Sequence, residues 1–163
     1  MVVVKWILIA IAVLVLAGIA AGQFGMLKGT APTDLGVRDG RLKAPSKTNN
    51  SVSSQAPLYP DHPQRAYATI APLALNGDGP ATLAKIKAIV QATPGAEVVK
   101  SEPHYLYAQY TTPLMKYVDD VEFWFDPANG VVQLRSASRI GKGDLGANRK
   151  RIEALRAALA ASR

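Results

Sequence analysis

Between Tyr117 and Leu159 the chain strings together an acidic run, Asp119-Asp120-Val121-Glu122, and a turn. An Arg/Ser run, Arg135-Ser136-Ala137-Ser138-Arg139, follows, and then Asp144, Asn148 and Arg149. Carboxylates and guanidiniums brought to hydrogen-bond distance can hold a polar or anionic ligand bidentately, or set a general base beside a charge stabiliser. Asp119 or Asp120 would be the base, and Arg135, Arg139 or Arg149 the stabiliser. The chain adds no nucleophile elbow, phosphate-binding glycine loop or metal-ligand spacing to them. It has no cysteine, and its two histidines, His62 and His104, are far apart in sequence. A thiolate site, a metal centre and a histidine triad are therefore not expected. No catalytic residue is assigned, and neither a metal nor a cofactor is called for. Tyr105, Tyr107, Tyr110 and Tyr117 read as sheet and core residues, not as stacking platforms for bases. Nucleic acid is not an expected partner.

The elements that must position these groups can be placed by period and turn chemistry. Asp126-Pro-Ala-Asn-Gly130 is a hairpin turn. Setting Asp126 opposite Val131 puts Phe125 against Val132, Phe123 against Leu134 and Val121 against Ser136 on one apolar face. The same register puts Glu122 against Arg135 on the other face, with Arg139 diagonal to Asp120, as a charge ladder on a solvated surface. A slip of one residue would bury the acids and expose the phenylalanines, so the ladder also specifies strand pairing. Asp119 and Ser138 fall at the end of the apolar face, where burial demands partners. Asn148, on the apolar side of a final helix with Ile152, Leu155 and Leu159, can supply them. Asp119, Ser136, Ser138, Asp144 and Asn148 thus form an expected inward cluster, with Asp144 as the cap of that helix.

Upstream, Arg65 to Ile70 reads as a strand. Pro80 opens a helix capped by Asp78 or Gly79, whose Leu83, Ile86, Ile89 and Val90 repeat at helical spacing until Pro94-Gly95. Ala96 to Lys100, His104 to Thr111, Tyr117 to Phe125 and Val131 to Arg139 read as strands. The expected fold is α+β, an antiparallel sheet of four or five strands with two helices packed on one face, preceded by an N-terminal transmembrane helix. Three segments follow: 1–27 an anchor or signal segment, 28–64 an extended linker, and 65–163 the α+β domain. The linker is rich in Gly, Pro, Ser, Thr and Asn, reads as a tether laid over the domain, and carries Asn50, Ser53 and Ser54 in a stretch dense with turn-forming side chains.

Uncharged residues run from Trp6 to Leu27 between Lys5 and Lys28, enough at about 1.5 Å per residue to cross a hydrocarbon core. A retained anchor is the preferred reading over a cleaved signal peptide. The five basic residues that follow it would keep the domain in the cytoplasm by the positive-inside rule. Long domains, however, are translocated largely regardless of charge, and the outward orientation is preferred. The formal net charge is +7. Residues 135–163 hold 8 basic and 2 acidic side chains, so nearly all the excess is C-terminal. Arg149, Lys150, Arg151 and Arg156 make the last helix either a solvated basic face or a binder of anionic surfaces.

Asn50-Ser51-Val52-Ser53-Ser54, Val118-Asp119-Asp120-Val121-Glu122-Phe123, Arg135 to Gly141 and Asp144-Leu145-Gly146-Ala147-Asn148-Arg149-Lys150-Arg151 together resemble the domain of unknown function 1499 family over roughly residues 34–160. The chain departs from that family's pattern in lacking a cysteine at Ser51 and another near Pro45 and Ser46. The resemblance implies an exported or membrane-tethered bacterial domain and no mechanism. Three readings are carried forward. The first is a single-pass, inner-membrane, non-enzymatic module whose Asp119, Arg135, Ser138, Arg139 and Asn148 region binds a small polar ligand or a protein partner. The second is a hydrolase or lyase using an aspartate base. The third is an anionic-surface binder acting through the last helix.

Overall fold

A computed structural model of the chain describes residues 2–162. Helix α1, Val2–Gln23, is long and apolar enough to cross a membrane, and almost its whole length is exposed. The sheet runs β1 (Ser51–Ser53), β6 (Val131–Ser138), β5 (Val118–Asp126), β4 (Tyr105–Thr111), β3 (Ala96–Glu102), all antiparallel, and the two-residue β2 (Leu73–Ala74) also pairs with β6. The β5–β6 register is the one the turn implies: Asp126 opposes Val131, Glu122 opposes Arg135 and Asp119 opposes Ser138. Asp126 fixes the turn with its carboxylate, which accepts from the Ala128 and Asn129 amides and from Asn129 Nδ2.

Two helices close the core. α3, Gly79–Gln91, is capped by Asp78 Oδ1, which accepts from Ala81 N at 2.7 Å, and α4 spans Ala147–Ala161. Leu83, Ile86 and Val90 from α3 and Ile152, Leu155 and Leu159 from α4 share one buried cluster with Leu106, Ala108, Val121, Phe123, Val132 and Leu134. The two apolar stripes have the 3.6 period, and the strand residues have period 2 on the face they meet. Gly79 belongs to this contact because a Cβ there would lie 2.3 Å from the Phe125 ring. Gly79→Ala should therefore cost about 1–3 kcal/mol by overpacking, measurable as a lowered urea midpoint with unchanged slope.

Two expectations are corrected. Arg65 to Ile70 is not a strand: α2, Arg65–Ala68, is a single helical turn closed by Ala68 N to Gln64 O at 2.8 Å and Thr69 N to Arg65 O at 3.0 Å. Its alternating positions are alanines, which favour a turn of helix over a short strand. The second face of the sheet is also not wet. Asp120, Glu122 and Arg135 are 2%, 0% and 4% exposed, because the chain from Gly29 to Ser46 lies across them. Gly36 N donates to Glu122 Oε1 at 2.7 Å, Ala44 O accepts from Arg135 Nε at 3.2 Å, and Ser46 N donates to Ser51 Oγ at 2.8 Å. A glycine- and proline-rich strap has no periodicity to show which surface it covers. Here its own backbone supplies the partners that water would have supplied.

Candidate functional site

The polar residues separate into two sets on opposite faces of β5 and β6. On the core face, Asn148 is fully buried at the start of α4. Its Oδ1 accepts from Ser136 Oγ at 2.5 Å and Arg151 Nη1 at 2.7 Å. Its Nδ2 lies 2.8 Å from Asp144 Oδ2, 3.0 Å from Ser138 Oγ and 3.1 Å from Asn50 O. An amide nitrogen has two hydrogens, so these three acceptors share them. Asp119 Oδ2 accepts from Arg151 Nη2 at 2.5 Å, and the Arg151 guanidinium stacks 4.6 Å from the centroid of Tyr110.

Asp144 is not the cap residue expected of it, since Gly146 holds the N-cap position, but from two residues upstream its carboxylate still reaches the first amides of α4. It accepts from Gly146 N at 2.9 Å and Asn148 N at 3.0 Å, while Gly146 itself occupies the left-handed N-cap position at φ 79°. Tyr67 OH also donates to Asp144. Burial pushes the Asp144 carboxyl up, but the hydrogen bonds from Tyr67, Asn148 and Gly146 outweigh it and hold it below the usual carboxylate range. Asn50 ties this corner to β1, donating from Nδ2 to Gly141 O at 2.8 Å, while Ser138 N donates to Asn50 O at 3.0 Å.

The structure thus brings Asp119, Ser136, Ser138, Asp144, Asn148 and Asn50 together. Arg149 stands apart, because its guanidinium donates to Tyr67 O at 2.5 Å and Thr69 O at 3.0 Å, the free carbonyls at the end of α2. Ser53 and Ser54 also lie elsewhere: Ser53 Oγ accepts from Gln55 N at 3.1 Å, and Ser54 Oγ bonds Gln133 Oε1 at 2.7 Å and accepts from Leu134 N at 2.9 Å. The member that sequence reasoning missed is Arg151. Its signal was the three-residue step from Asn148, which places it beside that side chain on a helix.

On the strap side, Arg139 grips Asp120 with Nε to Oδ2 at 2.9 Å and Nη2 to Oδ1 at 2.8 Å, and Tyr107 OH donates to the same carboxylate at 2.5 Å. The bond to Asp120 holds the Arg139 guanidinium above its ordinary range. Glu122 and Arg135, though opposite in register, meet only at 3.9 Å. Glu122 Oε1 accepts from Gly36 N and from Tyr105 OH at 2.8 Å. Glu122 Oε2 is the one sealed side-chain polar atom without a hydrogen bond among the described residues. Burial raises the Glu122 carboxyl, against the Gly36, Tyr105 and Arg135 contacts that lower it, and burial lowers the Arg135 guanidinium.

Arg135, Arg139, Lys43, Asp120 and Ser46 line a cavity of about 290 Å³ between strap and sheet. Lys43 Nζ is held by Asp34 at 2.6 Å and Arg139 by Asp120, so neither cation is free. Arg135 differs: Nε reaches Ala44 O, Nη1 stands 3.9 Å from Glu122 Oε2, and neither Nη makes a hydrogen bond among the described residues. No group of three or more His, Cys, Asp or Glu with metal-binding placement occurs among the described residues.

No curated protein and no solved structure matches this chain. Residues 41–159, which take in the end of the strap, the whole sheet and nearly all of α4, match the model of a protein family of unknown function, DUF1499, and the chain belongs to that family.

Proposed function

We propose that the protein is a membrane-tethered, non-enzymatic binding module. In this reading it crosses the bacterial inner membrane once, carries its domain outside the cytoplasm, and holds a small polar anion at Arg135 beneath the strap. One observation carries the reading: Arg135 is 4% exposed, lines the 290 Å³ cavity, and leaves its Nη donors unbonded to the protein. Donors that open onto a cavity with no acceptor from the protein leave a place for one, and an oxyanion taken by the planar guanidinium fork would fill it.

The other readings have less support. Asp119 and Asp144 both line the neighbouring cavity, but Arg151 holds Asp119 Oδ2, Asp144 is engaged by Tyr67, Gly146 and Asn148, and no histidine or cysteine lines that cavity beside them. An anionic-surface role for α4 loses three of its four cations. Arg149 bonds Tyr67 and Thr69 carbonyls, Arg151 bonds Asp119, and Arg156 bonds Pro72 O and Ala71 O, both at 2.7 Å.

The test is thermal unfolding of the full-length protein in non-ionic detergent with inorganic phosphate or acetate, against sodium chloride at equal ionic strength. A saturable rise in Tm is expected with at least one oxyanion, reaching about 2.7 kcal/mol of stabilisation at a hundredfold excess over Kd, and Arg135→Met should abolish it. The absence of a saturable rise with both, or an equal rise in Arg135→Met, would overturn the reading.

A further inference from the structure

The most exposed large apolar residues outside α1, Phe24, Met26, Leu114 and Leu145, lie where that helix meets the domain, whereas Val37, Leu58 and Val99 lie elsewhere. Gln23 Nε2 donates to Leu114 O at 2.9 Å, and a Cβ on Gly22 would lie 2.5 Å from Met115 O, so the loop 112–117 is packed directly on the last turns of α1. Met115 Cε lies 3.6 Å from the Cβ position of Gly18, about 7 Å back along the helix from Gln23 at its ordinary rise. Part of the domain therefore sits level with the last turn and a half of the apolar helix.

Around this junction Phe24 is 86%, Met26 75%, Leu114 56% and Leu145 97% exposed. Leu145 is the most telling, because it combines near-complete exposure with φ 50°, a left-handed backbone that bulky side chains rarely adopt. It lines one cavity of about 360 Å³ with Thr112, Tyr117 and Ile140, which places the 140–147 corner beside the 112–117 loop. Lys28, Lys116 and Lys142 lie in the same three segments, and none forms an ion pair among the described residues. Apolar tips with unpaired lysines beside them match the requirements of a lipid interface, where the tips enter the acyl boundary and the ammonium groups reach phosphate.

We infer that the domain docks onto an anionic bilayer surface through the 112–117 loop and the 140–147 corner, with Leu145 inserted among the lipids. The inference rests on α1 spanning that bilayer. Docking makes the tether stiff, so that the strap-side cavity is held at a set height above the membrane.

Because the chain contains no cysteine, single labels can be introduced without other changes. Nitroxides at Leu145→Cys, Leu58→Cys and Leu14→Cys in the full-length protein are compared in nanodiscs of phosphatidylcholine with and without phosphatidylglycerol, reading collisions with oxygen and with a nickel chelate. The label at 145 is expected about 5–10 Å below the phosphates, deeper with phosphatidylglycerol. The label at 58, on an exposed leucine elsewhere, should remain aqueous, and the label at 14 should sit in the hydrocarbon. A deep 14 with an aqueous 145 in both lipids would overturn docking and leave the tether intact, whereas an aqueous 14 would overturn both. Spin–spin broadening between two copies at an aqueous 145 would assign the face to a second copy and overturn docking equally.

Discussion

Asp119→Ala is expected to destabilise the domain by about 3 kcal/mol, the lower part of the range for removing one partner of a buried ion pair. Asp119 is 4% exposed and its carboxylate accepts from Arg151 at 2.5 Å. Without it the guanidinium remains against Tyr110, Ser136 and Asn148 with its charge uncompensated. The side chain of Arg151 keeps 15% of its exposure, enough for partial relief by swinging outward, which is why the lower figure applies. Asp119→Asn retains an acceptor and should cost about 1–2 kcal/mol.

Asp119→Leu combined with Arg151→Leu should not return to wild type, although isolated buried pairs often can be replaced neutrally by apolar residues. Arg151 also donates to Ser136 Oγ at 3.1 Å and Asn148 Oδ1 at 2.7 Å, so the double variant leaves those groups short of a partner. Urea unfolding followed by Trp124 fluorescence, in a Trp6→Phe background, measures all three. A cost below about 1 kcal/mol for Asp119→Ala would mean that Arg151 is satisfied elsewhere and that the network does not hold β5 to α4.

The hairpin of β5 and β6 was readable because three independent signals agree: the Asn129-Gly130 turn, the alternation of Val121, Phe123 and Phe125, and the complementary charges of Glu122 and Arg135. The inward cluster followed from that register, since Asp119 and Ser138 had no solvated place to go. The strap was not readable in position. Gly36 and Ala44 act through backbone groups, which every residue but proline carries alike, so nothing in their side chains points to Glu122 or Arg135. Within the inward set, Asn148 bonds Ser136, Ser138 and Asp144, and Arg151 takes Asp119 Oδ2. The ladder, expected on a solvated surface, lies under the strap, where the Arg135 Nη groups face a cavity and make no hydrogen bond among the described residues. Arg149 and Arg151 show the same limit on a smaller scale. Adjacent basic residues on α4 differ by about 100° in direction for each step, and only the positions of α2 and β5 decide which carbonyl or carboxylate each one meets.

Arg135→Met should lower stability by about 3–5 kcal/mol at pH 8 and by markedly less near pH 5, a pH signature that separates loss of charge from loss of packing. Glu122 is fully buried, its Oε2 has no hydrogen bond, and Arg135 at 3.9 Å is the nearest compensating charge. Burial already raises this carboxyl above its ordinary 4.5 in the folded chain, and removing the guanidinium raises it further. For an acid shifted this way, the folded and unfolded states are both protonated below the unfolded value, and the group costs nothing. As pH climbs through that value the unfolded state ionises first, so native stability falls until the folded value is passed and then stays level. The deficit of Arg135→Met must therefore grow with rising pH from about 4.5, and wild type should show a shallower slope of the same sign. Glu122→Gln keeps an oxygen to accept from Gly36 N and Tyr105 OH but cannot ionise, so adding it to Arg135→Met should restore most of the stability at pH 8 and remove the slope. If Arg135→Met instead costs the same at pH 5 and pH 8, the guanidinium contributes through the packing of its stem under the strap. Glu122 would then be compensated by groups other than Arg135.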